Sequence, residues 1–161
     1  MPNLVRKLAE TMRKFLKYLV IATVITTACA KKDKTVLEVF VTPQGAINGY
    51  DPVSYFDGNP AKGNQNFSHQ WNEATWYFTT DENLSKFKSD PEKYAPQFGG
   101  YCAFGMAGGY KAPTEPDAWT IVDDKLYLNY NVDVRSKWNE KRDSLINTAE
   151  ANWLSVKSMP L

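Results

Sequence analysis

Hydrophobic and polar positions downstream of residue 35 form short runs whose period changes repeatedly along the chain. VLEVFV at 36–41 is β-branched and partly alternating, which predicts a strand or extended segment. Gly45, Gly49, Pro52, Gly58, Pro60 and Gly63 then punctuate the chain, so 44–66 reads as turns and short extended pieces. FSHQWNEATWYF (67–78) sets aromatic flanks around the polar pair Asn72-Glu73 and predicts a hairpin. Thr79 or Thr80 can cap a helix over about 81–89, with Asp81 and Glu82 at its positive end and Leu84 and Phe87 facing inward. Asp90-Pro91 stops that helix, because proline disfavours the α region in the residue before it, and 92–95 can add one further turn.

Residues 99–110 (GGYCAFGMAGGY) hold five glycines and no charge, so this segment predicts a close-packed loop or short helix where backbone approaches another part of the chain. Two alternating runs around Asp123-Asp124 make 118–130 a second hairpin. Asn131 caps a helix to about residue 141, with Val134 and Trp138 four apart, and a last helix over about 143–153 aligns Leu145, Ala149 and Trp153. These elements predict a small single α+β domain, with antiparallel hairpins packed against short helices. The strand at 76–78 and the 118–130 hairpin are expected to share one antiparallel sheet.

The N-terminal part is a different physical object. Residues 1–28 hold five bases and one acid, whereas 29–161 hold 14 bases and 17 acids. Arg13, Lys14 and Lys17 precede the apolar run YLVIATVITTA (18–28), the layout of an export signal. Eleven residues are too few to span ~30 Å of hydrocarbon. Thr27-Ala28-Cys29 resembles a bacterial lipobox, although Thr26 stands where Leu is commoner, so Cys29 is the expected lipidation site. A soluble exported protein remains the alternative. Met12 also begins a complete signal, which leaves the start at Met1 or Met12 open. The division expected is therefore a signal peptide at 1–28, a flexible tether at 29–35 and one domain at 36–161, held at the cell envelope, facing the periplasm or exterior, by a lipid anchor in the membrane. Lipidation would leave Cys102 without a disulfide partner; otherwise a Cys29–Cys102 bridge is open, though the polar tether gives Cys29 no reason to dock. A formal net charge of +1 without a basic stripe argues against nucleic acid as a partner.

Residues 76–94 (WYFTTDENLSKFKSDPEKY) resemble the core of the YHS domain: an aromatic strand, a helix, then Phe87, Asp90, Pro91 and Tyr94 in the pattern F-x-x-D/N-P-x-x-Y. Asp51-Pro52-Val53 matches the usual opening. NGYDPVSYF, FSHQWNEATWYF, GGYCAF, PDAWTIVD, KLYLNY and AEANW extend the resemblance over about 44–156, to exported YHS domain-containing proteins. It implies that Phe87 and Tyr94 pack back on the strand at 76–78. Metal-linked members carry Cys after the Asp-Pro-Val opening and twice more at the strand–helix turn. This chain has Ser54, Thr79 and Asn83 there, which are poor ligands for zinc or copper.

Three soft or borderline donors remain. His69, Cys102 and Met106 would suit Cu(I) or another soft metal if the first hairpin packs on the glycine-rich segment; the competing expectation is a buried thiol, a core methionine and a strand-surface histidine. Cys–His catalysis lacks a third member, so an enzyme is disfavoured. Aromatic residues make up 14% of the chain, and Tyr50, Tyr55, Trp71, Tyr101, Phe104, Tyr110 and Trp119 lie in or beside glycine-rich segments. Such rings can wall a pocket for an unknown small ligand or form a protein-partner surface, or they can simply fill the core. Two functions thus stay open: a soft-metal or small-ligand binding lipoprotein, and a structural or partner-binding module of the envelope.

Overall fold

The computed structural model describes residues 36–160, so the export signal, Cys29 and the tether lie outside the described residues. Six strands are present: β1 (Val41–Thr42), β2 (Gly45–Ala46), β3 (Asn64–Trp71), β4 (Ala74–Phe78), β5 (Trp119–Val122) and β6 (Lys125–Leu128). Five α-helices accompany them among the described residues: α1 (Asp81–Ser89), α2 (Pro91–Tyr94), α3 (Ala103–Ala107), α4 (Val132–Asn139) and α5 (Arg142–Val156). The fold is α+β. Among the described residues no helix is long and apolar enough to cross a membrane.

Local chemistry explains most of these boundaries. The two long hairpins turn through Asn72-Glu73, with φ of 48° and 59°, and Asp123-Asp124, with φ of 49° and 57°. Two successive residues at positive φ match the right-handed twist of the strands they join. Thr80 caps α1 by accepting from the Asn83 N–H, and Asn131 caps α4 by accepting from the Val134 N–H. Asp90 closes α1 and caps α2, whose first residue is Pro91.

Strands β1–β2, β3–β4 and β5–β6 form three separate two-stranded antiparallel sheets, which corrects the expectation of one shared sheet. The burial of β6 gives the reason. Leu126 and Leu128 point into one apolar cluster, with Val39, Ile47, Tyr55, Trp76, Phe78 and Phe87, whereas Tyr127 points into another, with Phe98, Tyr101, Met106, Trp138 and Ala149. Hairpin β5–β6 is therefore a partition with a core on each face, and it extends neither neighbouring sheet.

Phe87 is fully buried and its ring lies 5.1 Å from that of Phe78 and 5.3 Å from that of Trp76, as the motif implies. Tyr94 is half-buried against the same cluster and meets Phe56 edge-on at 5.4 Å. Pro91 turns the chain into α2 and carries Tyr94 to the 52–58 turns.

Candidate functional site

Ser54, Thr79 and Asn83 gather around Asp51, whose side chain is fully buried. Its Oδ1 accepts from the Val53 N–H at 2.9 Å, closing a turn over Pro52. Its Oδ2 accepts from the Thr79 N–H at 2.9 Å, the Thr79 hydroxyl at 2.7 Å and the Asn83 amide at 2.7 Å. The same amide group reaches Thr79 Oγ1 at 3.1 Å. Ser54 donates its hydroxyl to the Asp51 carbonyl at 2.7 Å and accepts from the Ala61 N–H at 3.0 Å.

Four donors meet one carboxylate, which has about four lone-pair positions to offer. Burying an ion requires such compensation, and here hydrogen bonds supply it. With four hydrogen bonds received, the Asp51 carboxylate is committed to holding its neighbours in place. Mechanically, it ties the 51–54 turn to the β4–α1 junction. Asp51 was visible in the sequence as part of an opening motif. Its central role was missed, although Thr79 and Asn83, four apart across a helix start, are the residue types that donate to a carboxylate.

Cys102 is buried, as its glycine-flanked setting predicts. Its thiol donates to Asn129 Oδ1 at 3.7 Å and its sulfur accepts from the Gly105 N–H at 3.4 Å. Met106 lies one turn along α3, fully buried in the second cluster, with its N–H donating to the Cys102 carbonyl at 2.8 Å. His69 stands on β3, half-buried, with its ring 6.4 Å from that of Phe87 in the first cluster. Cys102 caps α3 and Met106 lies one turn along it, whereas His69 packs with the other core. Among the described residues no group of three or more His, Cys, Asp and Glu side chains is arranged to hold a metal ion.

The seven rings expected to wall a pocket disperse. Tyr55 is core, edge-on to Trp119 at 5.8 Å, and burial, reinforced by nearby Tyr50, Asp117 and Asp51, pushes its phenol pKa far up. Tyr101 is fully buried, with its hydroxyl 3.2 Å from the Leu37 carbonyl and 3.3 Å from that of Val39. Tyr50 packs on the first cluster, Phe104 is partly exposed, and Tyr110 lines a small hollow with Lys111 and Met159. Trp71 alone of this set lines the groove between the two clusters, beside Trp153, Phe98, Glu38 and Glu92. Those four partners come from distant segments, and no sequence pattern joined them. Gly99 does approach other backbone: a Cβ there would collide with the Glu38 carbonyl oxygen.

No family model matches the chain, and neither the curated proteins nor the solved structures contain a match to it.

Proposed function

We propose that this protein is a non-catalytic cell-envelope lipoprotein, anchored through Cys29, whose domain is a YHS-like binding module with hydrogen bonds in place of the family's metal corner. The supporting observation is the convergence of Ser54, Thr79 and Asn83 on the turn that begins at Asp51. Three positions that metal-linked YHS domains use for thiolates are here hydroxyl, hydroxyl and amide: Thr79 and Asn83 donate to the Asp51 carboxylate, and Ser54 donates to its backbone carbonyl. Such a corner serves the fold, so function falls to the surface that the fold holds in place. A soft ion on His69, Cys102 and Met106 has weaker support, because His69 packs on Phe87 while Met106 lies in the other core.

Intact mass of protein extracted from membranes by detergent should show acyl chains on a chain beginning at Cys29, and Cys29→Ser should release the protein or block its maturation. A Cys29→Ser protein bound as firmly as the parent would sink the anchor. Chelator treatment should leave the melting temperature unchanged, and Cu(I) titration should show no binding above background. Stoichiometric Cu(I) binding abolished by Cys102→Ser would instead establish the soft-metal function.

A further inference from the structure

The groove between the two clusters has a volume of about 230 Å³ and is walled by Trp71, Trp76, Phe98 and Trp153, with Glu38 and Glu92 also in its lining. Its rings are fixed before any ligand arrives. Trp71 stands edge-on to Phe87 at 5.7 Å and lies 5.9 Å from Trp76, while Trp153 meets Phe98 edge-on at 6.1 Å. The backbone at Glu38 is fixed too, since Gly99 lets it press against the loop and the Phe40 N–H donates to the Gly99 carbonyl at 2.8 Å.

The charged side chains that line this region are acidic. A second hollow shares Glu38 and Asn72 with the groove and adds Glu73, and neither lining includes a Lys or Arg. Lys157 reaches Glu38 only at 3.9 Å, with both side chains well exposed, and Lys111 also faces Glu38. The Lys157–Glu38 pair is long and half-exposed, hence weak, and Lys111 is held by the carbonyls of Leu37, Lys157 and Met159. Glu92 and Glu73 have no ion-pair partner among the described residues.

Aromatic walls beside carboxylates discriminate between ligand classes. Anions are repelled. Small, strongly hydrated cations forfeit hydration that indole faces replace poorly, and neutral apolar ligands gain nothing from the carboxylates. A cation whose charge is wrapped in methyl groups loses little hydration, buries apolar surface on the rings and is attracted by both their faces and the acids. We infer that this groove binds an alkylated ammonium ion of the trimethylammonium type. The site stands whether or not Cys29 is acylated.

Choline is the probe, titrated into the purified full-length protein with tryptophan fluorescence and calorimetry as readouts. Binding should saturate, and the neutral isostere 3,3-dimethylbutan-1-ol should bind about tenfold more weakly or worse. Glu92→Gln, at an exposed position that carries no fold, should weaken choline binding about threefold, and Trp153→Leu about tenfold. Tyr110→Ala, in a separate hollow, should bind like the parent. Glycerophosphocholine separates the sources: affinity equal to that of choline points to a lipid headgroup, and much weaker affinity points to a free cation. No saturable choline binding, equal binding of the isostere, or unchanged affinity in both Glu92→Gln and Trp153→Leu would overturn the assignment.

Discussion

Asp51 shows how one residue can decide the rigidity of a corner. Hydrogen bonds to a charged group contribute roughly 1.5–3 kcal/mol each, and this carboxylate accepts four. Such contributions are not additive, yet Asp51→Ala should still cost at least ~3 kcal/mol, because buried donors on Thr79 and Asn83 lose their acceptor. Urea unfolding measures this, and a loss below ~1 kcal/mol would mean that the turn at 51–54 does not depend on the network. Cys102 makes a contrasting case. Its thiol sits among Asn129, Gly105 and the α3 backbone, buried from solvent, so it should label slowly in the native protein and quickly once unfolded. The burial of Cys102 was legible from its flanking glycines. The hub at Asp51 was not, because its partners lie 28 and 32 residues away and no local pattern carries that distance.

At the scale of elements, the parts read correctly are those whose causes are local. Thr80, Asn131, Asp90-Pro91 and the two turn pairs each lie within three residues of the boundary they set. The separation of the sheets has no such local cause, since it depends on β6 facing two cores at once. Groove residues Glu38, Glu92 and Trp153 were likewise invisible, being brought together only by the packing of the loop at 97–100 between β6 and α5. The turn at Asp123-Asp124 leaves room for improvement. Both residues have positive φ, where a side chain costs roughly 1 kcal/mol that glycine avoids. Asp124→Gly should therefore raise stability by up to ~1 kcal/mol, seen as a higher urea midpoint with unchanged slope. Phe87→Ala has the opposite consequence: a ring packed on Trp71, Trp76 and Phe78 is lost, at a cost of ~3–5 kcal/mol. Unchanged melting of that variant would show that α1 does not close the first core.

Across the whole molecule, three buried tyrosines couple the fold to alkaline pH. Burial raises the phenol pKa of Tyr55, Tyr101 and Tyr127 above the ordinary value of 10.0. Below that value both folded and unfolded chains keep these protons, and the tyrosines make stability no steeper with pH. Above it the unfolded chain releases them while the folded chain retains them, so unfolding is favoured as pH climbs from 10 through the folded values. Each group then contributes a slope of about −1.4 kcal/mol per pH unit until it ionises in the folded state. Lys111 acts in the opposite sense below its ordinary 10.5, because burial lowers its pKa and the unfolded chain binds that proton more tightly. One such group offsets only part of the effect of three phenols. Tyr55 isolates the mechanism, since its hydroxyl is buried without a hydrogen-bond partner. Tyr55→Phe removes a polar atom that nothing satisfies, so stability at pH 7 should be unchanged or higher and the loss between pH 10 and 11 shallower by about 1 kcal/mol. Urea midpoints at pH 7, 10 and 11 for both proteins decide the matter. An identical alkaline loss in Tyr55→Phe would mean that this phenol ionises in the folded state as readily as in the unfolded chain.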